Sequence, residues 1–194
     1  MKKAFFLVAL VLLGTSTAFS QLSYGLKSGL NLADFTRMKG TSDMKTSFYA
    51  GGFLEYRGKN VGISPELYYS RQGFQQEDGE VMARFRFNYL NVPMMLKIYV
   101  VKGLSVDFGT QVGCLLNSKL WMEADGQTVT LDMEKVTGTK MSVFDIGFVV
   151  GLTCNVEKFF LQGRYNLGIT PVSPDDPDES CNKVFQFGIG YRFR

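Results

Sequence analysis

The stretch Asn182-Lys183-Val184-Phe185-Gln186-Phe187-Gly188-Ile189-Gly190-Tyr191-Arg192-Phe193-Arg194 alternates strictly. On an extended strand Phe185, Phe187, Ile189, Tyr191 and Phe193 share one face, and Val184, Gln186, Gly188, Gly190 and Arg192 share the other. The first face is unbroken aromatic and aliphatic; the second is mostly glycine and polar. The same pattern recurs along the chain, and its polar faces carry charges of both signs. That combination predicts a closed barrel turned inside out, with lipid against the apolar side chains and polar groups around the axis.

Seven further segments alternate in this way. Residues 24–33 set Tyr24, Leu26, Leu30 and Leu32 against Lys27, Gly29 and Asn31. Residues 48–57 place Phe48, Ala50, Leu54 and Tyr56 outward, with Glu55 inward and Phe53 carried inside by the same register. Residues 62–70 oppose Ile63, Pro65, Leu67 and Tyr69 to Ser64, Glu66 and Tyr68. Residues 85–99 oppose Leu90, Val92, Met94, Leu96 and Ile98 to Asn91, Pro93, Met95 and Lys97. Residues 104–117, 143–155 and 159–167 repeat the arrangement with Asp107 and Gln111, with Asp145 and Thr153, and with Gln162, Arg164 and Asn166 on the polar side.

The connections alternate long and short: 36–47, 71–84, 118–142 and 168–181 are long, whereas 58–61, 100–103 and 156–158 are short. Outer-membrane barrels have short periplasmic turns and longer extracellular loops. The expected fold is therefore all-β: an eight-stranded antiparallel up-and-down transmembrane β-barrel with a polar interior. A secreted lipocalin-like barrel would instead place apolar groups inside and polar ones outside. Glu77-Asp78-Gly79-Glu80 and Ala124-Asp125-Gly126-Gln127 are turn signals within two long connections. Around the second, Leu120, Met122 and Ala124 are expected to face Val129, Leu131 and Met133 in a hairpin above the membrane. The connection containing Pro174, Asp175, Asp176, Pro177, Asp178 and Glu179 reads as an irregular, solvated acidic loop.

The chain opens with Lys2 and Lys3, an apolar run over 4–13, and Ala18-Phe19-Ser20. This is the layout of a secretory signal peptide over 1–20, with cleavage before Gln21 and the barrel domain over 21–194. The apolar run is too short for a transmembrane helix, which needs about 20 residues. The formal charge of +3 falls to about +1 once Lys2 and Lys3 leave. That gives no concentrated basic face for nucleic acid. Glycine (21), phenylalanine (17) and tyrosine (9) abound while proline (5) is scarce, which favours strands with close backbone approach.

The predicted inward positions collect four acids, Glu55, Glu66, Asp107 and Asp145, and four bases, Lys27, Lys97, Arg164 and Arg192. Buried charges are tolerated when paired and hydrogen-bonded, and an eight-stranded interior is just wide enough for side chains to fill it. A balanced interior charge network is the expectation, with a narrow gated conductance as its alternative. The chain has no histidine, which removes Ser-His and Cys-His nucleophile pairs and imidazole metal sites. No catalytic, cofactor-binding or metal-ligating constellation is recognisable, and no cofactor is expected. Cys114 and Cys154 read as small hydrophobes on the wall and Cys181 as a loop thiol. Trp121 and Met122 mark either a partner surface or a continuation of the outer aromatic belt. Tyr24, Tyr56, Tyr99, Tyr191 and Phe193 are expected to form that belt at the periplasmic end, and Phe35, Phe48 and Phe144 at the outer end.

Gly25-Leu26-Lys27-Ser28-Gly29-Leu30-Asn31-Leu32-Ala33-Asp34-Phe35, Ser64-Pro65-Glu66-Leu67-Tyr68-Tyr69-Ser70-Arg71-Gln72-Gly73 and Tyr89-Leu90-Asn91-Val92-Pro93-Met94-Met95-Leu96-Lys97 are similar to runs in the outer-membrane β-barrel (PorT-like) family. So are Phe144-Asp145-Ile146-Gly147-Phe148-Val149-Val150-Gly151-Leu152 and the Gln186–Phe193 ending. The resemblance covers nearly all of 21–194. It implies an eight-stranded outer-membrane barrel of Bacteroidetes-type Gram-negative bacteria, with little implied about activity. The family's name-giving member is associated with the type IX secretion apparatus. A terminal strand ending in an aromatic also resembles the signal read by barrel-assembly machinery, although Arg194 follows Phe193 here. The expected protein is a monomeric, non-enzymatic outer-membrane barrel with a structural or surface-interaction role. Its expected partners are outer-membrane lipid, the assembly machinery during insertion, and envelope or secretion proteins.

Overall fold

The computed structural model describes residues 22–34, 42–78, 81–124, 127–132, 142–171 and 181–194. They form strands β1 (Leu22–Asp34), β2 (Ser42–Arg57), β3 (Val61–Asp78), β4 (Val81–Val101), β5 (Leu104–Ala124), β6 (Gln127–Asp132), β7 (Phe144–Val156), β8 (Phe159–Pro171) and β9 (Cys181–Arg192). All pairings are antiparallel, and the order β4-β3-β2-β1-β9-β8-β7-β5 closes through β4–β5. Eight strands make the wall. Among the described residues the short β6 pairs only with the far end of β5, as the return arm of a hairpin.

Closure leaves the wall without an open edge, which is what hydrocarbon demands of a β structure. Period-two alternation then sorts the side chains. Leu26, Leu54, Leu67, Met94, Leu152, Phe187 and Ile189 are each at least half exposed, whereas Lys27, Glu55, Glu66, Lys97, Asp107 and Arg164 are buried. A water-soluble protein does not show that distribution; a lipid-facing wall does. The register expected for β2 holds, with Phe53 inside.

The strands run further than hydrophobic alternation alone predicts. Pairing of β3 with β4 continues through Arg71↔Asn88 to Asp78↔Val81, so most of the connection expected over 71–84 is ladder. β2 likewise begins at Ser42, inside the connection expected over 36–47. Beyond the hydrocarbon the backbone still gains by pairing, while the side chains no longer need to alternate, so the sequence signal fades before the strand does. The hairpin of β5 and β6 brings Leu120 opposite Leu131 and Met122 opposite Val129 as expected, with Ala124 opposite Gln127. Met133, Phe35 and the acidic loop over 175–179 lie outside the described residues.

One irregularity changes a reading. Asn88 pairs with Asn117 but Tyr89 pairs with Leu115, so Leu116 is an extra residue on β5. Such a bulge flips the facing of everything beyond it. Leu120 is consequently buried, and Trp121 lies on the outer face. Cys114 and Cys154 carry free thiols on the lipid-facing side.

Candidate functional site: the polar interior

The interior is built in layers. At the centre, Glu66 on β3 accepts both guanidinium ends of Arg164 on β8, at 2.6 and 2.5 Å. The ammonium of Lys27 on β1 pairs with the same carboxylate and lies 4.8 Å from the centre of the Tyr68 ring. Toward the short turns, Glu55 on β2 accepts Lys97 and Arg192, each at 3.2 Å, and the Tyr99 hydroxyl. Arg192 also donates to Asn155 at 3.0 Å. Each carboxylate thus serves two cations, in fork and point-charge geometries suited to guanidinium and ammonium groups.

Asp107 is held differently. Ser105 (2.7 Å), Thr153 (2.5 Å) and Gln162 (3.3 Å) donate to it. In the ladder Asp107 faces Lys97 on β4, and on the other side only Gly151 separates it from Arg164. Toward the long loops the charges give way to amides and hydroxyls. Gln186 donates to Asn31, Asn31 to Ser70, both at 2.9 Å, and Tyr68 to Gln111 at 2.5 Å.

Aromatic rings close the gaps, and inward glycines make room for them. Phe53 and Phe160 meet edge to face at 5.3 Å, and Tyr49 tilts against Tyr68 at 5.4 Å. A Cβ on Gly190 would lie 2.1 Å from Cζ of Phe160, and one on Gly188 would lie 2.0 Å from the Tyr49 hydroxyl oxygen. The glycines of β9 are therefore the counterpart of a packed lumen. A cavity of about 10 Å³ beside Gln72, Gln111, Asp145 and Asn166 has room for about one water molecule.

Seven of the eight charged residues singled out from the sequence thus occupy three settings. Lys27, Glu66 and Arg164 make one cluster; Glu55, Lys97 and Arg192 make a second; Asp107 sits among neutral donors. Asp145 does not fall among them: it is half-buried near the outer end, opposite Gly113. Two of the four carboxylates, Glu55 and Glu66, are each flanked by two cations. Tyr99 also corrects an expectation. It is buried inside against Glu55 and does not join the aromatic belt, because its register on β4 matches Lys97 and Met95 and not Ile98. The belt itself contains Tyr24, Tyr191 and Phe193, with ring centres 5.5–5.6 Å apart. Asn31, Ser105, Gln111, Thr153, Gln162 and Gln186 complete the network. Charge was a signal that sequence could supply, but uncharged partners become recognisable only once strands are placed side by side.

Of the loop candidates, Trp121 lies on the outer face with the Arg86 guanidinium 4.1 Å above its ring. The backbone of Met122 pairs with Ala83 and Val129.

A closed antiparallel barrel with an apolar exterior and an ion-paired interior is an outer-membrane β-barrel protein. The chain belongs to the family described as outer membrane protein beta-barrel domain, which it matches over residues 16–173. Among solved structures it is similar to Ail, the attachment invasion locus protein of Yersinia pestis, at 15% identity and TM-score 0.51, covering 89% of this chain and 97% of that one. It is similar to Neisserial surface protein A at 9% identity and TM-score 0.50, covering 89% and 96%. It is also similar to CarO of Acinetobacter baumannii at 10% identity and TM-score 0.51, covering 85% and 96%. At these identities the likeness is one of fold. No curated protein matches the chain.

Proposed function

We propose that this protein is a non-enzymatic, monomeric scaffold of the outer membrane, which acts through strands raised above the bilayer and not through its lumen. The observation that carries this reading is the filled cross-section: Glu55, Glu66, Lys97, Asp107 and Arg164 are all buried among aromatic rings. Opening a path would separate buried ion pairs, at a cost of several kcal/mol for each uncompensated charge. The hairpins β3–β4 and β5–β6 meanwhile present paired backbone well beyond the apolar belt.

Planar-bilayer recording of the refolded protein tests the reading directly. A silent bilayer is expected; reproducible unitary steps would favour a narrow gated channel. The resemblance to PorT-like proteins supports a second reading, a component of a secretion envelope complex. Co-purification of secretion subunits with the detergent-extracted protein would favour it. Export is proposed to depend on residues 1–20, with Gln21 as the first residue of the membrane form, and insertion on the aromatic-ended β9 read by the assembly machinery. N-terminal sequencing of the outer-membrane form tests the cleavage point.

A further inference from the structure

Each of the three short turns carries one lysine. Lys59 stands between β2 and β3, Lys102 between β4 and β5, and Lys158 between β7 and β8, and all three are exposed. Around the barrel these turns follow one another two strands apart, and the seam of β9 with β1 takes the fourth place. Neighbouring strands lie about 4.8 Å apart, so successive lysine-bearing turns are about 10 Å apart. Each lysine is thus set against its own stretch of the rim. Backbone bonds pin the turns to their neighbours: the Tyr99 N–H donates to Asn60 at 2.8 Å, that of Asn155 to Gly103 at 2.6 Å and that of Arg192 to Lys158 at 2.7 Å.

The apolar wall reaches these same turns. Val101 pairs with Leu104 across the turn of Lys102, Val156 pairs with Phe159 across that of Lys158, and Val61 opens β3 just beyond Lys59. All five apolar side chains are exposed, and Phe159 meets Tyr191 of the aromatic belt at 5.0 Å. Each lysine therefore begins within two residues, or about 7 Å, of side chains that face lipid. Its stem can lie along them while the ammonium reaches the headgroups.

Acids are nearly absent at this end. Among the described residues Glu157 is the one exposed acid there. Glu55 and Asp107 lie deeper and are buried, engaged by Lys97 and Arg192 and by Ser105, Thr153 and Gln162. Residues 1–21 contain no Asp or Glu. Every remaining acid is either Glu66 in the lumen or belongs by sequence position to the long connections and the strand ends leading into them. Arg57 adds a half-buried cation, its guanidinium 3.6 Å from the centre of the Tyr99 ring, and Arg194 an exposed one. None of the three lysines forms an ion pair with a described residue.

We propose that Lys59, Lys102 and Lys158 form a ring that binds anionic phospholipids of the periplasmic leaflet, one headgroup at each turn. Short turns face the periplasm in barrels of this class. An ammonium is a compact point charge with three rotatable donors, so the ring selects net negative charge and not a particular headgroup shape. The exposed valines beside the lysines choose the occupant. An anionic lipid meets both demands with one molecule, its headgroup at the ammonium and its acyl chains on Val61, Val101 or Val156. An acidic soluble protein answers the charge and offers the valines no hydrocarbon.

Native mass spectrometry of the refolded full chain in neutral detergent, titrated with phosphatidylglycerol or with phosphatidylcholine of the same acyl chains, tests this. One lysine at an anionic lipid surface is worth about fivefold, so the wild type is expected to prefer phosphatidylglycerol by at least about fivefold at low ionic strength. K59Q/K102Q/K158Q is expected to fall below about twofold, and K59R/K102R/K158R, which keeps the charges, to match the wild type. A smaller wild-type preference, a larger one in the glutamine variant, or an arginine variant no better than the glutamine one would overturn the proposal. So would displacement of phosphatidylglycerol by poly-glutamate at equal charge, which would make the ring a docking surface for an acidic protein. Should the glutamine variant lack the heat-modifiable band of a folded barrel, K102Q/K158Q is expected at least to halve the preference, and a smaller change overturns equally.

Discussion

Tyr99 on β4 reaches past β3 to donate its hydroxyl to Glu55 on β2, completing a carboxylate that already holds Lys97 and Arg192. The contact places a tyrosine from near the short turns inside the barrel, where a belt position would have put it in lipid. A buried carboxylate that loses one donor keeps its desolvation cost without the compensating bond. Tyr99→Phe is therefore expected to destabilise by about 1–3 kcal/mol. Tyr56→Phe, on the lipid side of β2 beside Glu55, should change stability by less than about 0.5 kcal/mol. Urea unfolding in lipid vesicles, followed by tryptophan fluorescence, checks both.

Glu66 stands between two cations, so its neutralisation should be felt more strongly than that of any single base. Glu66→Gln leaves Lys27 and Arg164 buried side by side with no carboxylate between them. A loss of about 3–5 kcal/mol is expected. Adding Lys27→Met should recover part of it by removing one of the stranded charges. The unfolding midpoints of the single and double variants decide the matter; a double variant less stable than the single would contradict the cluster.

The facing of the wall strands was legible in the sequence because lipid and lumen impose opposite demands on alternate residues. Each of Leu90, Val92, Met94, Leu96 and Ile98 could be assigned from its neighbours alone. Two features were not legible. Leu116 looks like any other apolar wall residue, and only the pairing of Asn88 with Asn117 reveals it as the extra one that turns Trp121 outward. Asp145 has the same alternation as Asp107, but its height relative to the bases depends on strand stagger, which no single strand encodes. Charge identified Glu66 and Arg164 as interior residues; that they form a two-pronged pair is a property of β3 and β8 facing each other across the lumen.

The glycines of β9 offer a test of lumen packing. Gly190→Val drives a branched side chain into the Phe160 ring, 2.1 Å from where its Cβ would sit. The overpacking should cost about 1–3 kcal/mol. In a Phe160→Ala background the same substitution should cost much less, because the two residues compete for one volume. Gly163→Val makes the control: a Cβ there would first meet Phe187 at 3.7 Å, an ordinary contact on the lipid side. A double-mutant cycle on unfolding free energy gives the coupling, and additive costs would rule out the shared-volume account.

Lipid contact itself is open to a depth-resolved test. Ile189 is half exposed midway along the outward row of β9, and Val156 is 59% exposed at the short-turn end of β7. In water the two positions would be equivalent, and arginine at either would be nearly silent. In a bilayer the charge must leave water at one site but not at the other. Ile189→Arg should therefore cost about 2–4 kcal/mol and Val156→Arg about 0–1 kcal/mol. The comparison is made by unfolding from vesicles at one pH and salt. It depends on the difference between two equally exposed positions, so a general intolerance of substitution cannot imitate it. Equal costs at the two sites would mean that Ile189 and Val156 do not sit at different depths in hydrocarbon, and the outward row of Phe185, Phe187 and Ile189 would then have no lipid to meet.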